Sequence, residues 1–215
     1  MFHVKQLVLQ SFIETVEMVG VSMALGTIIG SLLAILLVLT KPSGLWPRSY
    51  LHQILGIGLN AFRSIPFIIL IILMIPFTRF WVGTSIGTAA ATLPLTFAAS
   101  LLIARVIEDA LNTTPKGLIE VGKALGASNL QIILKIQFRE ALPLIISGLT
   151  TISINIIGFS AMAGTVGGGG LGDLAIRYGY QRYDFTLLII IVIILIAMVQ
   201  CVQTLGNFVS ARLRK

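Results

Sequence analysis

The stretch Thr113-Thr114-Pro115-Lys116-Gly117-Leu118-Ile119-Glu120-Val121-Gly122-Lys123-Ala124-Leu125-Gly126-Ala127-Ser128-Asn129-Leu130-Gln131 separates two strongly apolar regions and decides how the chain is laid out. It predicts two short helices meeting at a corner. Thr114 suits the cap of the first helix and Pro115 its first turn, where proline's missing N–H would have no partner in any case. Gly126 closes that helix, because glycine tolerates the left-handed conformation common at helix ends. Ser128 and Gln131, three residues apart, have the form of a capping box and start the second helix.

Outward from this corner the composition is that of an integral membrane protein. Of the 215 residues 56% are apolar and 11% are charged, with a mean hydropathy of +1.00, whereas a soluble domain carries about 25% charged residues. Apolar runs predict membrane spans over about 16–40, 54–77, 84–104, 142–166 and 185–206, each near or above the roughly 20 residues that cross a bilayer. The expected fold class is therefore an all-α integral membrane protein, with five transmembrane helices and one large loop, about 105–141, between spans 3 and 4. No internal duplication divides the chain, which is expected to form a single domain over 1–215. The first run is too long for a signal-peptide core and is expected to stay uncleaved. Lys41-Pro42-Ser43-Gly44 ends it, Gly26 and Gly30 within it form a small-xxx-small pair that admits a close neighbour, and Arg79 with Gly83 marks a tight turn. The fifth span is almost entirely Ile, Leu and Val, the composition of a helix facing lipid.

The net charge of +7 does not signal nucleic acid, because the basic residues sit in loops between apolar runs. Grouping the 41–52 connector, the 104–141 loop and the tail Arg212-Leu213-Arg214-Lys215 places ten of the fifteen basic residues on one side. Lys5, Arg79, Arg177 and Arg182 fall opposite, and Arg63 lies near the border. The positive-inside rule makes the richer side cytoplasmic and sets the N-terminus outside.

Several chemistries have no residues to support them. There is no Gly-x-x-x-x-Gly-Lys-Ser/Thr, so no phosphate loop for ATP. His3 and His52 are isolated, Cys201 stands alone, and neither a metal set nor a disulfide can be assembled. Gly158-Phe159-Ser160-Ala161-Met162 lacks the second glycine of a nucleophile elbow, and Gly167-Gly168-Gly169-Gly170-Leu171-Gly172 lacks the lysine of a phosphate loop. No catalytic residue is assigned.

Two places hold polar groups inside apolar runs. Arg63 and Ser64, followed by Pro66, lie in the second span, where an arginine snorkels, pairs or faces a wet path. The fourth span carries Thr150, Thr151, Ser153, Asn155 and Ser160 ahead of Met162, and such residues serve either as glue between helices or as the lining of a path. Met162 fits a repacking gate at the outer end, since methionine is unbranched and polarizable, and it equally fits a gap-filling packing role.

Glu120 six residues before Gly126, with Ile136 ten residues after it, resembles the cytoplasmic coupling motif of type I ABC importer permeases, written Glu-Ala-Ala, three residues, Gly, nine residues, Ile-x-Leu-Pro. Val121 and Gly122 replace the two alanines, and Phe138-Arg139 replaces Leu-Pro, so the exit from the second helix departs from the pattern. Phe62-Arg63-Ser64-Ile65-Pro66-Phe67 resembles amino-acid importer permeases. The stretch from Gly158 to Gly167, with Gly169-Gly170-Leu171-Gly172 and Tyr178-Gly179-Tyr180, is similar to methionine importer permeases. The resemblance runs over about residues 55–180.

It implies a permease subunit of an ATP-driven methionine importer in the bacterial inner membrane, acting as a homodimer. Two cytoplasmic ATPase subunits, which bind the ATP and Mg, would dock on Lys116, Glu120, Val121, Lys123, Ala124, Gly126 and Ala127, and an extracytoplasmic methionine-binding protein would deliver substrate. Arg63, Ser64, Ser153, Asn155, Ser160 and Met162 are the expected path and gate residues. A permease for another small amino acid and a non-transporting membrane anchor or sensor are the competing readings, and the local pattern of the corner alone also fits a solvated interfacial hairpin.

Overall fold

The structure, a computed structural model, describes residues 2–42, 44 and 46–213, so Ser43 and the basic pair Arg214-Lys215 lie outside the described residues. Among these residues all regular structure is helical. Helix α1 (Phe2–Thr40) is followed by α2 (Ser49–Arg63), α3 (Phe67–Val82) and α4 (Thr88–Asn112). The corner contains α5 (Lys116–Ala124) and leads into α6 (Asn129–Thr165), a short α7 (Gly170–Leu174) and α8 (Phe185–Leu213). Helices α1, α4, α6 and α8 are each long and apolar enough to cross a membrane.

The second expected span, a continuous run over 54–77, is interrupted. It is a pair, α2 and α3, bent by 109° at Ser64–Pro66. Pro66 provides no N–H and restricts the residue before it, so the helix ends at Arg63 and restarts at Phe67 with Pro66 in an extended conformation (φ −55°, ψ 136°). Pro76, Pro94 and Pro143, by contrast, lie inside helices.

Close packing is built on small residues. A Cβ added at Gly26 would lie 2.7 Å from the Ala99 Cβ, and one at Gly30 would lie 2.7 Å from the Ser100 carbonyl oxygen. The small-xxx-small pair thus lets α1 lie directly on α4. Helix α4 is the most buried of the four long helices and α8 the least, since only Leu187, Ile191 and Ser210 of α8 are buried. Ala99, Ile103 and Ile107 of α4, with Ala34 of α1 and Ile145 and Ile156 of α6, form the centre of the core.

The helices overrun the expected spans. The turn after Gly83 (φ +81°), whose N–H bonds to the Arg79 carbonyl at 3.1 Å, holds the chain until Thr88. Helix α4 then continues through Arg105, Glu108 and Asp109, which fall in the expected loop over 105–141. Glu108 is buried and accepts a 2.9 Å bond from Arg105 Nη1 one turn away, so a charged turn remains helical. On the far side of the corner, α6 is uninterrupted from Asn129. Residues Ile132–Gln137 form a π-helical turn in which the Phe138 N–H reaches the Ile133 carbonyl. Phe138-Arg139, where the resembled pattern has Leu-Pro, lies within this continuous helix, so the second corner helix runs on into the fourth span.

Candidate functional site

The corner is made by local signals. In α5 the Gly126 N–H bonds to the Lys123 carbonyl and the Ala127 N–H to the Gly122 carbonyl, both at 3.0 Å, with Gly126 at φ +75°. These two bonds close a Schellman motif. The Gln131 N–H then donates to Ser128 Oγ at 3.3 Å, and the Ser128 N–H to Gln131 Oε1 at 2.8 Å, completing the capping box. Thr114 departs from its expected role: Pro115 takes the cap position, and no side chain caps α5. The Thr114 N–H still bonds to the Leu111 carbonyl at 3.4 Å, which ties this residue to the end of α4.

Gly122 faces inward, where an added Cβ would stand 2.7 Å from Ile136 Cδ1 and 3.3 Å from Ile132 Cγ1. Ile136 of the motif-like pattern is thus what α5 rests on. The opposite face is open: Lys116, Glu120, Val121, Lys123 and Ala124 are exposed, as is Gly126, and Ala127 is half-buried. Leu118 (42%), Val121 (57%) and Leu125 (82%) are exposed apolar side chains at positions i, i+3 and i+7. Of these only Val121 was singled out from the sequence; the spacing carried the signal for Leu118 and Leu125. An apolar stripe flanked by Lys116, Glu120 and Lys123 has the make-up of a docking surface.

The expected path residues divide according to helical phase. On α6, Thr151, Asn155, Gly158 and Met162 are exposed along one stripe, the spacing of residues three and four apart on one face. The Asn155 amide has no hydrogen-bond partner among the described residues. Ser160 is only 2% exposed, and its hydroxyl donates to the Ile157 carbonyl at 2.7 Å. Five residues on from Asn155, it lies well off the exposed stripe, so it belongs to the protomer's interior. Ser153 is half-buried and donates to the Leu149 carbonyl at 2.9 Å.

Arg63 and Ser64 occupy the break between α2 and α3, and both are exposed. Ser64 Oγ donates to the Asn60 carbonyl at 2.9 Å, while Arg63 has no ion pair among the described residues. Arg63 edges a small apolar cavity of about 60 Å³ with Phe62, Phe67, Leu101 and Phe159. Phe67 stacks on Phe159 at 4.4 Å, and Phe62 meets Phe97 edge-on at 5.4 Å. The break is thereby held against both α4 and α6.

At the other end, the glycine run is pinned by side chains of α1, which lie more than 150 residues away in sequence. Glu14 Oε2 accepts a 2.8 Å bond from the Gly170 N–H, and Thr15 Oγ1 accepts one at 2.9 Å from the Leu171 N–H. The Gly87 N–H donates to the Gly167 carbonyl at 2.8 Å. Gly167, Gly169 and Gly170 all have positive φ, as this tight path from α6 into α7 requires.

Fold and site together define a multi-pass helical membrane protein with an exposed helical corner and a polar stripe on one span. Residues 26–215 match the family model described as binding-protein-dependent transport system inner membrane component, and the chain belongs to that family. It is 45% identical, over 93% of its length and 88% of the relative's, to the probable D-methionine transport system permease protein MetI of Vibrio cholerae serotype O1. Identity to the protein of the same description from Pasteurella multocida is 41%, over 96% of this chain and 95% of the relative. A chain of the solved MetNI methionine ABC transporter, in an inward-facing conformation, superposes with a TM-score of 0.95 at 41% identity, covering 97% of each chain.

Proposed function

We propose that the chain is the membrane-spanning subunit of an ATP-driven methionine importer and works as a homodimer. The observation that carries this reading is the α6 stripe, where Asn155 lies exposed and unpartnered among apolar residues. An amide facing hydrocarbon without a partner is costly. A wet path between two copies of α6 satisfies it, with Met162 as the outer constriction and Arg63 and Ser64 at the helix break beside the path.

The exposed face of α5 suits the cleft of a cytoplasmic ATPase subunit, one per permease copy, which holds the ATP and Mg. Leu118, Val121 and Leu125 supply buried area, Lys116, Glu120 and Lys123 supply polar contacts, and Ala124, Gly126 and Ala127 keep the corner narrow. An extracytoplasmic methionine-binding protein delivers substrate to the opposite face. This arrangement places α5 and the C-terminus in the cytoplasm and the N-terminus outside, in agreement with the distribution of basic residues. Methionine as substrate rests on the relatives' described activity.

The test is uptake of labelled methionine into proteoliposomes containing this chain, its ATPase and the binding protein. Uptake should require ATP, and unlabelled methionine should compete better than other small amino acids. Better competition by another amino acid would overturn the substrate and leave the permease. Failure of the chain to stimulate ATP hydrolysis would favour the non-transporting anchor.

A further inference from the structure

A cleft of about 300 Å³ opens where the ends of α1 and α4 meet α5, lined by Lys41, Asn112, Thr114, Lys116, Lys123 and Gln137. Thr114 and Gln137 are only 6% and 5% exposed, yet Thr114 Oγ1 and Gln137 Oε1 have no hydrogen-bond partner among the described residues. Buried polar atoms are rarely left this way. Gln137 Nε2 donates to the Leu111 carbonyl at 3.4 Å, so its carbonyl oxygen is the group still open. The charge of the cleft is also unbalanced: among its described lining residues three lysines face one carboxylate, Glu120. None of the three is in an ion pair among the described residues, and Lys41 Nζ is oriented by Asn112 Oδ1 at 3.1 Å.

We propose that this cleft binds a phosphate group bearing a hydroxylated substituent, the chemistry of the glycerol phosphate headgroup of an anionic phospholipid. Ammonium groups bind phosphate as compact charged donors. The Thr114 hydroxyl is a further donor for a phosphate oxygen, and Gln137 Oε1 is an acceptor for a hydroxyl of the substituent. The cleft lies where two membrane-crossing helices end beside the basic corner, and basic pockets between transmembrane helices on the cytoplasmic side are where anionic headgroups collect. A phosphate bridging Lys41, just past the end of α1, to Lys116 and Lys123 of α5 fixes that helix against the membrane domain. Bound lipid would then tune coupling whatever the substrate is.

The test uses the purified full-length protein in neutral detergent, with short-chain phosphatidylglycerol, short-chain phosphatidylcholine, glycerol 3-phosphate and inorganic phosphate as probes. Affinity is read from the rise in Tm with probe concentration. Phosphatidylglycerol should bind about tenfold more tightly than phosphatidylcholine, and Lys41→Gln and Thr114→Val should each weaken it about tenfold, as expected for loss of one contact to a charged group. Thr114→Val keeps the buried shape, and Lys41→Gln alters a half-buried surface group, so unchanged Tm without probe separates lost binding from misfolding. If glycerol 3-phosphate or inorganic phosphate binds with the same dependence on both residues, the phosphate site stands and its source is soluble. Equal affinity for the two lipids, unaffected by either substitution, with no binding of the soluble phosphates, would overturn the proposal.

Discussion

The Glu14 carboxylate and the Gly170 backbone N–H, 156 residues apart in sequence, meet at 2.8 Å and fasten α1 to the start of α7. A hydrogen bond to a charged group contributes about 1.5–3 kcal/mol. Glu14→Ala should therefore lower stability by about that amount, read as a drop in Tm. Glu14→Gln, which keeps an acceptor oxygen, should recover part of the loss. Equal Tm for Glu14→Ala and the parent would show that the contact is not stabilising.

Gly126→Val is expected to uncouple transport from ATP hydrolysis. Open space surrounds the Gly126 Cα, so the added side chain meets no clash, and the penalty comes from φ +75°. Holding a bulky β-branched residue there costs on the order of 1–3 kcal/mol, enough to reopen the corner. Membrane insertion and dimer formation should persist while methionine uptake per ATP hydrolysed falls several-fold; normal uptake would refute the role of the corner.

Met162 is 46% exposed, so truncating it removes little packing within the protomer. Met162→Ala should leave Tm within about a degree or two, as for substitutions away from the core, while raising substrate leak or basal ATP hydrolysis. A lower Tm with unchanged leak and hydrolysis would make Met162 a packing residue.

Orientation can be tested by thiol labelling in a Cys201→Ser background. Lys123 and Arg177 are both exposed, so cysteine substitution at either disturbs no core. Lys123→Cys should react with an impermeant reagent only after the cytoplasmic face is opened, and Arg177→Cys should react in intact cells. The reversed pattern would invert the topology.

What the sequence made legible was mostly short-range. Gly126 and the Ser128–Gln131 pair announced their geometry because a cap is satisfied by neighbours within one turn, and Gly26 with Gly30 announced a close approach because the spacing itself makes the groove. Pro66 could not be told from Pro76, Pro94 or Pro143 by local pattern, since whether a proline breaks a helix or is absorbed depends on what packs around it. The continuation through Phe138 was hidden in a hydrogen-bond shift of one residue, and the partners of Glu14 and Thr15 lie across the fold. Polarity along α6 does not by itself give helical phase: Ser160 is buried, whereas Asn155 and Met162, two turns apart, share the open face.

The unbroken run of α6 makes it a lever. Its 37 residues amount to about 55 Å of helix at 1.5 Å per residue, with the α5 corner at one end and Thr165 at the other. A tilt of about 5° at the corner would sweep the far end sideways by about 5 Å over that length, comparable to a side-chain diameter, without any hinge in the membrane. The π-turn at Ile132–Gln137 then sets angular register: removing one of its residues would rotate everything before it by about 100° relative to the membrane segment. Such a deletion would leave every surface residue of α5 in place and still point the lever's handle the wrong way.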